Sequence, residues 1–264
     1  ETRELAETLN YAASEIARSD EVKKELIANI SHDLRTPLTM ISGYAEIIRD
    51  IPCERTPENV QIIIDESNRL TALVNDMLDL SKVQAGTADP QYTVFDLTDT
   101  IGEVMQRYSA LVAHHGYTIN FNADRGVKVR ADRTMMLQVV YNLINNAVNY
   151  AGEDKIVEVT ETVLDGKVRV TVMDRGEGIP PEQIKSIWER YYKVDRVHRR
   201  ARVGTGLGLS IVRNILQLHK ASFGVESAVG QGTSFWFELD EVEVTDEDGG
   251  GDETGDIPTF SDKL

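Results

Sequence analysis

The sequence of 264 residues predicts an α plus α/β protein: a helical hairpin that pairs with a second copy as a dimeric four-helix bundle, followed by an α/β two-layer sandwich. Three observations predict this fold. Apolar residues recur at spacings of three and four through the first part of the chain. Strand-like alternation begins after Gln91. An Asp165-Gly166 pair, a strong hairpin-turn signal, separates two alternating runs.

The hairpin is predicted from a heptad seam that is interrupted once. Pro52 and Pro57 mark a loop, and the apolar period resumes after it. Because a continuous apolar stripe on two helices needs a covering surface, a symmetric dimer is expected. The seam residues are Ile27, Ile30, Leu34, Pro37, Ile41, Tyr44 and Ile48 before the loop, and Ile63, Leu70, Leu73, Met77 and Leu80 after it.

The second region mixes helices and strands, and its antiparallel hairpin favours a two-layer sandwich over a strictly parallel sheet. The helical segments are "RTMMLQVVYNLINNAVNYA", "PEQIKSIWERYYK" after Pro180 and Pro181, and "LGLSIVRNILQLHK". The strands are "YTVFDL", "YTINFNA", the two arms of "IVEVTETVLDGKVRVTVMD", and "GTSFWFELD".

Composition excludes some functions. The net charge is −16, which argues against direct nucleic-acid binding, since that relies on Lys and Arg against phosphates. Residues 241–264 hold nine acids against Lys263 alone, so we expect an acidic disordered tail that acts mainly as a solubilising end.

Cys53 is the only cysteine, so no internal disulfide can form. His114, His115 and His219 lack metal-ligand spacing and are expected to have surface roles.

His32 lies at the outermost position of the heptad frame, pointing away from the seam. Thr36 follows one turn later on the same face, and Pro37 should bend the helix. A neutral imidazole is a nucleophile, and Asp33 can hold the proton on its other nitrogen. Position alone favours a solvated histidine beside a surface aspartate, so the case for chemistry depends on the rest of the sequence.

Three motifs of the second region suit a nucleotide. Asn142 and Asn146 are four apart on one helix face, and amide oxygens suit Mg²⁺. Asp174 precedes two glycines in "DRGEGI", where a carboxylate can accept a hydrogen bond from an adenine amino group. "GTGLGLS" opens a helix whose backbone N–H groups can face phosphates. Taken singly, each motif is also typical of a cap, a turn or a helix start.

Between the two glycine clusters lies "KVDRVHRRARV", a basic stretch in an acidic protein. It fits either a mobile lid over a triphosphate or a solvated loop. The glycine spacing is not a P-loop, because no Gly-Lys-Ser/Thr follows, and it does not follow a strand as a dinucleotide motif would.

In combination these motifs resemble bacterial two-component sensor histidine kinases. "SHDLRTPLTMISGY" is similar to their phosphoacceptor motif, and "RLTALVNDMLDLSKVQAG" to the return helix of their phosphotransfer bundle. The order of the Asn helix, Asp-x-Gly-x-Gly, "WERYYKVD", Gly-x-Gly-x-Gly and "GQGTSF" is similar to that of their GHKL-type ATP-binding domain. The resemblance divides the chain into residues 1–19, a signalling helix like the end of a HAMP module; 20–88, the dimerisation and phosphotransfer hairpin; 89–240, the catalytic domain; and 241–264, the tail.

The resemblance implies that His32 accepts the γ-phosphoryl group of ATP, that Asp33 is its acid/base partner, and that Thr36 positions water in a phosphatase reaction. It implies ATP and Mg²⁺ as ligands, with Asn146 and Asn142 at the metal. The implied ATP-binding residues are Asn142, Asn146, Asn149, Tyr150, Asp174, Gly176, Gly178, Ile179, Tyr192, Lys193, Gly204, Thr205, Gly206, Leu207, Gly208 and Thr233.

The sequence departs from the family pattern at three positions. Asn149 stands where many relatives have Lys or Arg, which leaves phosphate neutralisation to a lid arginine. Trp188 and Tyr191 stand where Phe is usual, and both keep an aromatic ring.

The implied partners are a second copy of the chain and the receiver domain of a response regulator. The chain is expected to be the cytoplasmic portion of a protein that reaches the bacterial plasma membrane through an upstream sensor region. Two alternatives remain: an ATP hydrolase of the GHKL type, and a catalytically degenerate docking module. Hydrolases of that type carry a Glu where this chain has Asn142, which disfavours the first. The intact His32 and Asp174 disfavour the second.

Overall fold

The computed structural model describes residues 33–84, 89–108, 116–189 and 206–242, with the single residues 28, 31 and 112; of residue 76 and residues 78–84 only the backbone is described. Helix α1 covers residues 33–50. A 3-10 turn, Pro52–Glu54, separates it from helix α2, Pro57–Gln84. Across the described residues, no helix is both long enough and apolar enough to traverse a membrane.

The loop between α1 and α2 is held by side-chain bonds to backbone carbonyls. Arg55 Nε donates to Ile48 O at 2.9 Å, at the end of α1. Thr56 Oγ1 accepts from Asn59 N at 3.2 Å and so serves the start of α2. The helix–loop–helix order predicted from the two prolines is confirmed.

The second region is built on a five-stranded sheet in the order β2-β4-β5-β7-β6. Its strands are β2, Thr118–Ala123; β4, Ile156–Leu164; β5, Lys167–Asp174; β6, Ser222–Ala228; and β7, Gly232–Asp240. Strands β2 and β4 are parallel, and the other neighbours are antiparallel. A two-stranded sheet joins β1, Thr93–Asp96, to β3, Lys128–Ala131.

Three helices of this region contribute to its core: α3, Leu97–Arg107; α4, Arg133–Tyr150; and α5, Gly208–Leu218. The inward positions of β5 alternate as Val168, Val170 and Val172, all buried. Strand β4 contributes Val157 and Val159 in the same way. The predicted α plus α/β class, a helical part followed by a layered α/β part, is confirmed.

The predicted β4–β5 hairpin forms as the turn residues require. Asp165 and Gly166 both have positive φ, 51° and 72°, which a two-residue turn of this kind needs. The predicted helix after Pro181 is wrong within the described residues. Residues 181–185 form turns, followed by a short 3-10 helix, Ser186–Trp188. The Trp188 ring meets Phe223 and Phe235 edge-on at 5.1 and 5.7 Å, and this packing replaces a regular helical face.

The helical hairpin touches the α/β region through α2. Leu73 is 3% exposed, and Met77 packs against the α/β core. Both are residues of the predicted seam, and at Met77 that seam is covered by the α/β region in the single chain.

Candidate nucleotide-binding and phosphoacceptor site

Asp174 ends β5 at the fourth inward-facing position after three buried valines, so its carboxylate lies at the edge of the core. It is 2% exposed, and its Oδ1 accepts from Gly176 N at 2.9 Å. Burial raises the pKa of this carboxyl to about 6, and backbone donation from Gly176 and Thr233 opposes that rise. The carboxyl is therefore mostly ionised at neutral pH, as an acceptor for an amino group should be.

The backbone around Asp174 is closely packed, and glycine is required at specific points. A Cβ on Gly176 would overlap the carbonyl oxygen of Tyr150, at the end of α4. Gly178 has φ of 72°, and a Cβ there would overlap the carbonyl oxygen of Ala228. These contacts bring the end of α4, the segment after β5 and the end of β6 together beside Asp174.

Thr233 is 6% exposed and lies opposite Asp174 in the register of β5 and β7. Its Oγ1 is 3.0 Å from Ser227 Oγ, which also accepts from Ile179 N at 2.8 Å. Ser227 donates in turn to Gly232 O at 2.8 Å. The sequence analysis predicts neither strand β6 nor a role for Ser227, and the sequence signal for this residue is its place shortly before "GQGTSF".

Asn142 and Asn146 lie on α4, and both are half-buried. Asn142 faces the start of α5: a Cβ on Gly208 would lie 3.5 Å from Asn142 Oδ1. Among the residues that the structure describes, Asn142 Nδ2 is buried without a hydrogen-bond partner. An amide buried in this way is a place where a ligand oxygen or a metal fits, depending on which way the amide is turned.

Helix α5 begins directly after a left-handed glycine. Gly206 has φ of 70°, Leu207 is fully buried, and Gly208 opens the helix against Asn142. The first N–H groups of α5 have no intrahelical partners, so the helix start can bind an anion. The structure thus brings Asn142 and the end of the glycine motif into contact.

The donor set fits Mg²⁺ bound together with phosphates. Within the described part of the chain, no group of three or more His, Cys, Asp or Glu side chains could hold a metal ion. Mg²⁺ usually keeps several waters and takes one or two protein oxygens together with substrate phosphates. The amide oxygens of Asn142 and Asn146 match that requirement.

The remaining predicted residues divide into two groups. Asn149 and Tyr150 are exposed at the end of α4. On α1, Asp33 is half-buried, Thr36 is exposed, and the helix continues through Pro37, which is buried. The residues that lie outside the described part are His32, Tyr192, Lys193, Gly204 and Thr205.

Family models match the chain in two places. Residues 22–86 match the His Kinase A (phospho-acceptor) domain. Residues 131–243 match the histidine kinase-, DNA gyrase B- and HSP90-like ATPase domain. The two matches follow the order in which the helical hairpin and the α/β region occur.

Sensor protein SrrB of Staphylococcus aureus is 33% identical over 227 residues, which are 85% of this chain and 39% of SrrB. The chain thus spans about two fifths of the length of the curated relatives it matches.

Solved structures of two further proteins are similar. The catalytic domain of histidine kinase ThkA is 31% identical, with a TM-score of 0.51, covering 57% of this chain and 96% of that domain. ThkA in complex with response regulator protein TrrA is 27% identical, with a TM-score of 0.62, covering 83% of this chain and 61% of that one. ShkA in complex with AMPPNP is 26% identical, with a TM-score of 0.61, covering 83% of this chain and 46% of that one. By its two domain matches in order and by these relatives, the chain belongs to the two-component sensor histidine kinases.

Proposed function

We propose that the chain binds ATP with Mg²⁺, phosphorylates His32, and passes the phosphoryl group to an aspartate of a response-regulator receiver domain. One observation carries the nucleotide half of this proposal: a buried, largely ionised Asp174 enclosed by backbone at Gly176 and Thr233. A buried carboxylate that is closely surrounded by backbone suits adenine, which is flat and carries an amino group on one edge. The structure of ShkA with AMPPNP supports an adenine nucleotide as the ligand.

The residues divide the work between binding and transfer. Asp174 accepts from the adenine amino group, and Thr233 supports it from β7. Asn142 and Asn146 offer amide oxygens to Mg²⁺, and the start of α5 donates backbone N–H groups to phosphate oxygens. Bound Mg²⁺ would neutralise charge on the transferring phosphoryl group. Transfer then depends on positioning and charge stabilisation more than on covalent chemistry by the catalytic domain.

On the helical side, Asp33 orients the imidazole of His32 and takes up the proton of its other ring nitrogen as the attacking nitrogen bonds to the γ-phosphorus. The bond from that phosphorus to the β,γ-bridging oxygen breaks in the same step, and ADP leaves. Thr36 aligns water when the same face removes phosphate from the regulator. The structure of ThkA with TrrA supports a receiver domain as the partner.

Dimerisation would cover apolar side chains that the single chain leaves exposed on α1 and α2, among them Leu38, Val60 and Ile64. We also propose that the full-length protein is anchored in the plasma membrane by a sensor region upstream of this segment.

The direct test is incubation with γ-labelled ATP and Mg²⁺. Acid-labile, base-stable label is expected on the unsubstituted chain and absent from His32→Ala. Ser42→Ala, at an exposed position on α1, is the control and should label normally. Full labelling of His32→Ala would refute the assignment of the phosphoacceptor.

A second test distinguishes loss of the adenine contact from the general effect of removing one negative charge. Asp174→Asn is expected to reduce labelling about tenfold to a hundredfold at ATP concentrations well below saturation, because it removes the carboxylate from the site. Asp165→Asn removes a carboxylate from the exposed β4–β5 turn, where Asn tolerates positive φ, and should label like the unsubstituted chain.

A further inference from the structure

His219 follows the last turn of α5 and connects two backbone groups that are far apart in sequence. Its Nδ1 is 2.8 Å from Ile215 O, and its Nε2 is 3.1 Å from the backbone N of Asp132. A carbonyl only accepts and a backbone N–H only donates, so Nδ1 must carry the proton and Nε2 must offer its lone pair. The neutral imidazole therefore bridges the end of α5 to the start of α4, which is not the surface role that the sequence predicts.

Asp132 is the N-cap of α4 and is 8% exposed. Its Oδ1 accepts from Met135 N at 3.0 Å, which fixes the first turn of α4. Its Oδ2 accepts from Gln91 N at 2.9 Å. The same residue thus holds the helix start, the segment that precedes β1, and His219.

Tyr92 completes this contact from the segment that precedes β1. Its ring lies against the His219 ring with centroids 5.2 Å apart, and its hydroxyl donates to Leu218 O at 3.2 Å. Arg130 lies over the Tyr92 ring at 6.0 Å. We call the four residues Gln91, Tyr92, Asp132 and His219 the α4–α5 clamp.

The clamp lies at the C-terminal end of α5, and the Asn142–Gly208 contact of the nucleotide site lies at its N-terminal end. Asp132 meets His219 at one end, and Asn142 meets Gly208 at the other. The two helices therefore run antiparallel, with ten residues of α4, or about 15 Å, between the two contacts. Because packed helices are stiff, a shift at the clamp end changes the contact at the nucleotide end.

We propose that His219 is a positioning residue that sets the register of α5 on α4, so that the segment after the helical hairpin controls the phosphate side of the nucleotide site. The proposal rests on the nucleotide site proposed above and adds a route from the hairpin to it. That route runs from Gln91 and Tyr92 through Asp132 and His219 to the Asn142–Gly208 contact. Loosening the clamp lets the α5 start move away from Asn142, and phosphate binding weakens.

The test measures the affinity of the full chain for a fluorescent ATP analogue with Mg²⁺. His219→Phe keeps a ring against Tyr92 but removes both nitrogen contacts, and should weaken binding about tenfold, which corresponds to about 1.4 kcal/mol. His219→Gln keeps one donor and one acceptor and should recover part of the loss. Tyr92→Phe removes only the hydroxyl and gives a milder loss in the same direction, which keeps the test usable if His219→Phe folds poorly.

Phe121→Leu is the matched control, because it loses core contacts on β2, an edge strand of the five-stranded sheet, and changes none of the clamp residues. If Phe121→Leu lowers the melting temperature as much as His219→Phe does, it should still bind the ATP analogue like the unsubstituted chain. Unchanged affinity in both His219→Phe and Tyr92→Phe would overturn the clamp while leaving the proposed function standing. So would equal weakening in Phe121→Leu, since His219 would then act through stability alone. An unsubstituted chain that binds no analogue would overturn the proposed function, and the clamp's role with it.

Discussion

Replacing Asp174 with Asn is expected to stabilise the nucleotide-free protein at pH 7.5 while weakening nucleotide binding. Burial raises the pKa of Asp174 from 3.8 to about 6, so the native state disfavours the ionised form. The stability that the protonated carboxyl contributes is present in acid and is lost as the pH rises through about 6. At pH 7.5 the buried charge lowers the free energy of unfolding by about 3 kcal/mol, and at pH 5 by about 1.5 kcal/mol.

Asn has nearly the same shape as Asp and is neutral at both pH values. Its oxygen can still accept from Gly176 N, so the native contact is preserved. The variant should therefore unfold at higher urea concentration than the unsubstituted chain at pH 7.5, with the difference shrinking by about half at pH 5. Urea titrations followed by circular dichroism at both pH values measure this.

The same substitution should weaken binding of an ATP analogue about tenfold to a hundredfold, because a hydrogen bond to a charged group is lost. In the unsubstituted chain, affinity should fall between pH 7 and pH 5 as Asp174 takes up a proton. The reasoning would be refuted if Asp174→Asn were less stable than the unsubstituted chain by the same amount at pH 7.5 and at pH 5. The carboxylate would then be a net stabiliser.

Three further predictions concern single substitutions. Glu161→Gln should be more stable than the unsubstituted chain at pH 8 and nearly equal to it at pH 4 in the same urea titrations, because burial raises the pKa of Glu161 from 4.5 to about 7. Among the described residues, Thr98 donates to its carboxylate at 2.6 Å. Gly176→Ala should lose about 1–3 kcal/mol of stability, measured as the urea midpoint, and nucleotide binding with it, because its Cβ would overlap the Tyr150 carbonyl. Thr36→Ala should keep autophosphorylation within about twofold but slow dephosphorylation of the regulator roughly a hundredfold, measured with labelled partner; equal loss of both would exclude a specific role for Thr36.

Local signals in the sequence predict the elements whose conformation is set locally. The β4–β5 hairpin follows from Asp165 and Gly166, which take the positive φ that the turn needs. The Asp-x-Gly-x-Gly string after β5 is also recognisable in the sequence, but the backbone that requires glycine at Gly176 and Gly178 belongs to the distant residues Tyr150 and Ala228. The position of Asp174 on the inward face of β5 also follows from the period of two.

Elements fixed by distant contacts were less accessible from the sequence. Pro180 and Pro181 favour a helix start, yet the backbone there follows the packing of Trp188 on rings contributed by β6 and β7. Helix α3 was missed, although Leu97, Ile101 and Val104 have helical spacing, because polar residues and Gly102 interrupt the apolar pattern. The residues that neighbour Trp188 in the sequence do not reveal which distant rings it packs against.

The pairing of Asp132 with His219 shows why a site can be predicted while its support cannot. The two residues are 87 positions apart, and each has an ordinary local explanation, one as a helix cap and the other as a helix end. Their relation depends on two antiparallel helices, with the end of α5 beside the start of α4, which only the assembled fold determines. If the clamp acts as proposed, the residues that contact nucleotide are those with strong local motifs, whereas the residues that regulate the site are recognised only from the fold.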